Sequence, residues 1–295
     1  MTPAQTNSHA EQRPRSAWSV TWRTALHQPR TRVGLALSGF VVGLALLGPL
    51  FSSGDPNEFI GAPFIGPTGQ ALLGTDFLGQ DVMQRLLHGG RTLLWMSLTA
   101  TILGVLIGLA IGMISGYTGR RVEGSLMWFM DVILAFPQIV LAIVFVSMLG
   151  PLPWLIVLVV ALTHIPRVAR LTRSLTADCV RQEYIEAAKT IATPRSRILI
   201  REVLPNLTTP LAVETTIRLA WSVSIIAALS FIGYGVQPPF PDWGLMINEN
   251  RIGLVVQPWS VLAPVVLVAM LAVGVSLVGD GIARAASGVD ERVSQ

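Results

Sequence analysis

Between two long apolar runs lies a stretch that no bilayer can hold, Arg181-Gln-Glu-Tyr-Ile-Glu-Ala-Ala-Lys-Thr-Ile-Ala-Thr-Pro-Arg-Ser-Arg-Ile-Leu-Ile-Arg-Glu-Val-Leu-Pro205. Its charges force it into water, while its neighbours are apolar for about the 20 residues that a helix needs to cross a hydrocarbon core. Such a chain folds as membrane-crossing helices around one water-exposed knob. Composition supports this: 13% of residues are charged and 52% hydrophobic, against about 25% charged in soluble domains. The mean hydropathy is +0.59 and the pI about 10.0. Basic residues sit beside apolar spans, which fits a membrane flank better than nucleic acid. One cysteine, Cys179, leaves no intramolecular disulfide.

Six spans are expected in an all-α integral membrane fold. A polar tail covers 1–32, with Trp18 and Trp22 suited to a short helix in the headgroup layer. The first span is expected over 33–51, read as a retained anchor rather than a cleaved leader. A loop over 52–91 is Gly/Pro-rich at first and then carries an amphipathic helix over 76–90. A five-helix core over 92–282 follows, with a tail over 283–295. Within it, spans are expected over 93–115, 125–149 (interrupted by Pro137), 152–165 (extending helically past Pro166), 211–232 and 259–282. A Gly/Pro-rich loop joins the last two over 233–258. Gly104, Gly108 and Gly112 recur every fourth residue, a spacing that lets helix backbones approach closely.

Arginine placement orients the chain. With both termini in the cytoplasm, that side holds Arg13, Arg15, Arg23, Arg30, Arg32, Arg120, Arg121, the cluster from Arg167 to Arg201, Arg284 and Arg292. The other side holds Arg85, Arg91 and Arg251, and Arg218 snorkels inward. The polar knob is therefore expected in the cytoplasm, within a loop over about 167–207. It divides into two short helices. Ile185, Ala188 and Ile191 share the face of the first. Thr193-Pro194 is a start signal for the second, which is expected to end at Leu204-Pro205.

The knob resembles the EAA motif of ABC importer permeases: Glu186, Ala187, Ala188, Leu204 and Pro205 match, and the family's glycine falls on Ala192. If that glycine adopts a positive φ, alanine there carries a steric cost. Further segments are similar to the dipeptide/oligopeptide/nickel permease group. They are Leu73-Gly-Thr-Asp-Phe-Leu-Gly-Gln-Asp-Val82 with Arg85 to Arg91, Met130 to Pro137, Leu229 to Pro239, Asp242-Trp-Gly244 and Gly279-Asp-Gly281. The group usually has arginine where this chain has Gln80. One span ahead of a five-span core resembles the C-type subunit of the pair. The resemblance implies a type I importer permease in a bacterial or archaeal cell membrane. It implies a homologous permease as heterodimer partner, two cytoplasmic ATPase domains gripping the knob, and an external solute-binding protein. ATP and Mg would sit on the ATPases and no cofactor on this chain. Peptides are the expected cargo, with nickel or another small solute as alternative.

This chain has one lysine, Lys189, and lacks G-x-x-x-x-G-K-[ST], so it is not expected to bind ATP in that way or to act as an enzyme. Asp131, Glu214 and Trp221 are candidates for a translocation path, Asp131 because a carboxylate within a span is costly and often functional. Packing is the commoner explanation for Asp131. Glu214 and Arg218 stand i, i+4 and can pair, and Asp280 meets water at the inner end of the last span. His9, His27, His88 and His164 are scattered, which argues against a metal site. Two rivals are a secondary transporter, which tends to carry midplane charges and internal repeats, and a membrane scaffold using the same knob.

Overall fold

The computed structural model describes residues 17–52, 54–118 and 120–287. Tail arginines such as Arg13, Arg15 and Arg292 lie outside the described residues. In order, the helices are α1 (Ala17–His27), α2 (Pro29–Phe51), α3 (Val82–Tyr117), α4 (Arg120–Leu134), α5 (Gln138–Leu149), α6 (Pro153–Val180), α7 (Glu183–Thr190), α8 (Arg195–Ile198), α9 (Leu204–Ile232), α10 (Trp243–Asn250) and α11 (Trp259–Ser287). Five unbroken helical stretches are long and apolar enough to cross a membrane; α4 and α5, bent by 80°, make a sixth if counted as one span. The six-span reading stands.

Several element bounds differ from those expected. The amphipathic helix expected over 76–90 is not separate: Asp81 caps the N-terminus of α3 by accepting from Met83 N, and the helix runs 36 residues without a break. The span expected over 152–165 extends helically past Pro166, as anticipated, and runs as α6 to Val180. Leu204-Pro205 does not end the second knob helix. A π-helical turn over Leu199–Val203 carries α8 into α9, Leu204 N–H donating to Leu199 O, so that 195–232 is continuous. The wider turn gives the proline ring room that a regular α-turn denies it.

The bundle centres on the contact of α3 with α6. A Cβ on Gly104 would meet Ala161 O at 2.9 Å, one on Gly108 Ile165 O at 2.9 Å, and one on Gly112 Ala169 O at 2.6 Å. The fourth-residue glycines are thus a seam on which two backbones nearly touch. Thr172 on α6 donates to Val168 O of its own helix at 2.8 Å and reaches across the seam to Gly108 O on α3 at 3.3 Å. Helix α2 packs on α11 through Gly34 and Gly274. The main core gathers Leu93, Met96, Ile156, Val160, Ile226, Leu229 and Trp243.

At one end of the bundle, two segments far apart in sequence lock together. Arg85, 3% exposed, bonds Asp76 at 2.5 Å and Glu249 on α10 at 2.9 Å. Phe77 N donates to Asn250 Oδ1 at 3.0 Å, and the Trp243 indole donates to Leu86 O at 2.9 Å. Trp243 packs closely on Gly89 and Gly90, where an added Cβ would come within 2.9 Å and 2.5 Å of its ring. Gln80 is buried and donates to Asn57 O at 3.1 Å, tying the preceding loop to the same knot. Burial pushes the carboxyls of Asp81, Asp242 and Glu249 above the ordinary range, Asp242 to about 6.

Candidate functional site

The opposite end carries the polar knob. Helix α7 forms over eight residues with Glu183 and Glu186 in its first turn and Lys189 in its last, each sign favoured by the helix dipole. Its back is apolar: Ile185, Ile198, Val203 and Leu207 are buried with Leu109 and Cys179, and Ala188 and Leu204 pack against them. Its front is bare. Glu186, Ala187, Ala192 and Pro205 are exposed, and Ile191 is 78% exposed. An isoleucine thus stands exposed beside small alanines.

Three ties hold the knob to the bundle. Lys189 Nζ stands 5.7 Å from the centroid of the Tyr117 ring at the end of α3, a cation–π distance. Tyr184 Oη lies 3.1 Å from Cys179 Sγ and accepts from Asn206 Nδ2 at 3.2 Å. The Cys179 contact and burial push the phenol up to about 12. A cleft of about 560 Å³ opens beside the knob, lined by Tyr117, Thr118, Val122, Lys189, Thr193 and Arg195.

The turn between α7 and α8 resolves the question raised by Ala192. Its φ is +56°, one of two positive values among the described non-glycine residues. Thr193 N donates to Ala188 O at 3.1 Å and Ala192 N to Lys189 O at 3.0 Å. This pair of bonds is a Schellman termination, in which the left-handed residue is usually glycine. Alanine occupies it at a steric cost. The second helix starts one residue later than expected: Pro194 takes the N-cap place, with no side-chain cap from Thr193.

The three path candidates do not meet. Asp131 on α4 accepts from Arg170 on α6 in a half-exposed ion pair. Glu214 and Arg218 pair at 2.9 Å, largely buried. Trp221 faces a separate groove of about 610 Å³ between α9 and α11, lined also by Ile217, Ser224, Ala272, Ser276 and Asp280. A polar thread absent from the sequence reading joins α3, α6 and α9: His164 Nε2 and Ser222 Oγ are 2.8 Å apart, as are Ser222 Oγ and Thr101 Oγ1. Thr101 donates onward to Ser97 O at 2.7 Å. Apolar spacing hid this thread, because each hydroxyl counts as a small neutral residue in a hydropathy window. Among the described residues no cluster of three metal-ligating side chains forms.

Residues 104–287, more than half of the chain, match the family model described as the binding-protein-dependent transport system inner membrane component. The dipeptide transport system permease protein DppC of Alkalihalophilus pseudofirmus is 32% identical over 266 residues, 88% of each chain. A putative peptide transport system permease protein of Brucella suis is 34% identical over 89% of each. The glutathione transport system permease protein GsiD of Pectobacterium atrosepticum is 32% identical over 91% of this chain and 90% of its own. Together with the helical bundle and its exposed knob, these matches make the chain a member of the binding-protein-dependent transport system inner membrane components, similar to the DppC type of permease.

Proposed function

We propose that this chain is a membrane-spanning subunit of an ATP-driven importer of di- and oligopeptides. A homologous permease would complete the path, two ATPase subunits would bind α7 from the cytoplasm, and a solute-binding protein would deliver cargo at the α10 end. The observation that carries the reading is the two-sided knob: an apolar back fixed to α3, α6 and α9, and a bare front at Glu186, Ala187 and Ile191. A force applied to such a knob moves the helices beneath it rather than bending a loop. ATP binding to the partners would then shift the bundle between two packings, as alternating access requires. ATP and Mg belong to the partner subunits. The relatives' names favour peptides over nickel as cargo.

The test is a complex of this chain with its partner permease, ATPases and binding protein in nanodiscs. Peptide-loaded binding protein is expected to stimulate ATP hydrolysis several-fold, and Glu186→Arg to detach the ATPases. Undiminished ATPase retention and transport in Glu186→Arg would favour the scaffold reading.

A further inference from the structure

Arginines on and around α6 come with carboxylates. Arg170 bonds Asp131, Arg173 bonds Glu123, and Arg218 on α9 bonds Glu214. Arg167 stands among them without an ion pair to any described residue, and it is exposed. Its depth makes this costly. It lies fourteen residues along α6 from Pro153, about 21 Å at about 1.5 Å per residue. The hydrocarbon core is about 30 Å thick. Gln138 lies at the same level, at the far end of the twelve-residue α5 from Leu149. An ionisable side chain inside a helix long and apolar enough to cross a membrane is by default a functional-site candidate rather than packing.

Its surroundings say what it binds. Arg167, Gln138 and Thr163 line a cavity of about 250 Å³ closed by the α4–α5 bend and Leu141. Phe136, on the rim, is 56% exposed and Val140 on α5 is 47% exposed, so the cavity opens on a bare face of the bundle. The space fits an end group rather than a whole peptide. A guanidinium presents a planar fork of donors that matches a carboxylate, and Gln138 adds an amide that bonds Thr163 O. We propose that Arg167 is a way station for the terminal carboxylate of a peptide crossing the membrane. This rests on the peptide reading above. It gives an importer of varied cargo one feature to hold that does not depend on side-chain sequence.

The experiment uses the complete importer in proteoliposomes with its binding protein, comparing uptake of one tripeptide as free acid and as C-terminal amide. The binding protein contributes equally for every permease variant, so the change in the acid-to-amide ratio isolates this chain. Arg167→Gln is expected to lower the ratio about tenfold from the wild-type value, and Arg167→Lys to keep part of it. An unchanged ratio in Arg167→Gln, or the same loss for acid and amide in both variants, overturns the proposal and makes Arg167 a structural or subunit-contact residue. Failure of the wild-type complex to import either peptide sinks the peptide reading itself, and the proposal with it.

Discussion

Ala192→Gly tests whether the knob turn carries the strain assigned to it. The left-handed conformation costs an L-residue about 1–2 kcal/mol, and Ala192 has φ +56°. Glycine removes that cost but adds about 0.4–1 kcal/mol of chain entropy to the unfolded turn. The net gain is about 1 kcal/mol, or about a fivefold shift in an opening equilibrium. Two amides report it directly, because Ala192 N–H and Thr193 N–H make the bonds that close α7. Hydrogen exchange at these amides, corrected for intrinsic rates, is expected to slow about fivefold in Ala192→Gly. In Ala192→Val it is expected to speed up, since a β-branched residue tolerates positive φ worse. Equal protection in all three proteins would refute the strain argument.

Gly112→Ala places a methyl 1.7 Å from Thr172 Oγ1 and 2.6 Å from a backbone carbonyl; overpacking of this kind costs about 1–3 kcal/mol, so melting in detergent should fall by several degrees. Gly43→Ala, with nothing within 4 Å of the added carbon, should not lower it. Arg85→Met leaves Asp76 and Glu249 buried without their cation and is expected to destabilise the α10 end by about 3–5 kcal/mol, read as faster proteolysis of the 233–258 loop. Asp242, raised by burial from 3.8 to about 6, holds its proton more tightly folded than unfolded. Its contribution to stability is full below about pH 3.8 and is lost as pH rises through about 6, by about 3 kcal/mol. Asp242→Asn should flatten that part of the melting profile.

Length and periodicity made the spans legible, because a hydropathy window responds to the same apolar surface that lipid demands. The knob was legible for the opposite reason: its charges have no place in hydrocarbon. Proline misled once: Pro205 looks like a stop, yet a π-helical turn accommodates it, whereas α6 runs on through Pro166 in line with the sequence. Counting Arg167 with the cytoplasmic cluster also set it outside the span, whereas it lies inside α6, a helix long and apolar enough to cross a membrane. Ala192 shows the reverse case, where a single departure from a motif pointed to a strained φ. Pairings such as Arg85 with Glu249, or His164 with Ser222, join residues far apart in the chain, and no local pattern carries them.

Peptide uptake into proteoliposomes, measured with and without the ATPase subunits and with binding protein and ATP supplied, tests the driven-knob account most directly. Accumulation should require the ATPases and ATP, and should be abolished by Glu186→Arg even with ATPases present. Accumulation by the permease pair alone, driven by a proton gradient, would contradict it and make the buried thread of His164, Ser222 and Thr101 the seat of a secondary transporter instead.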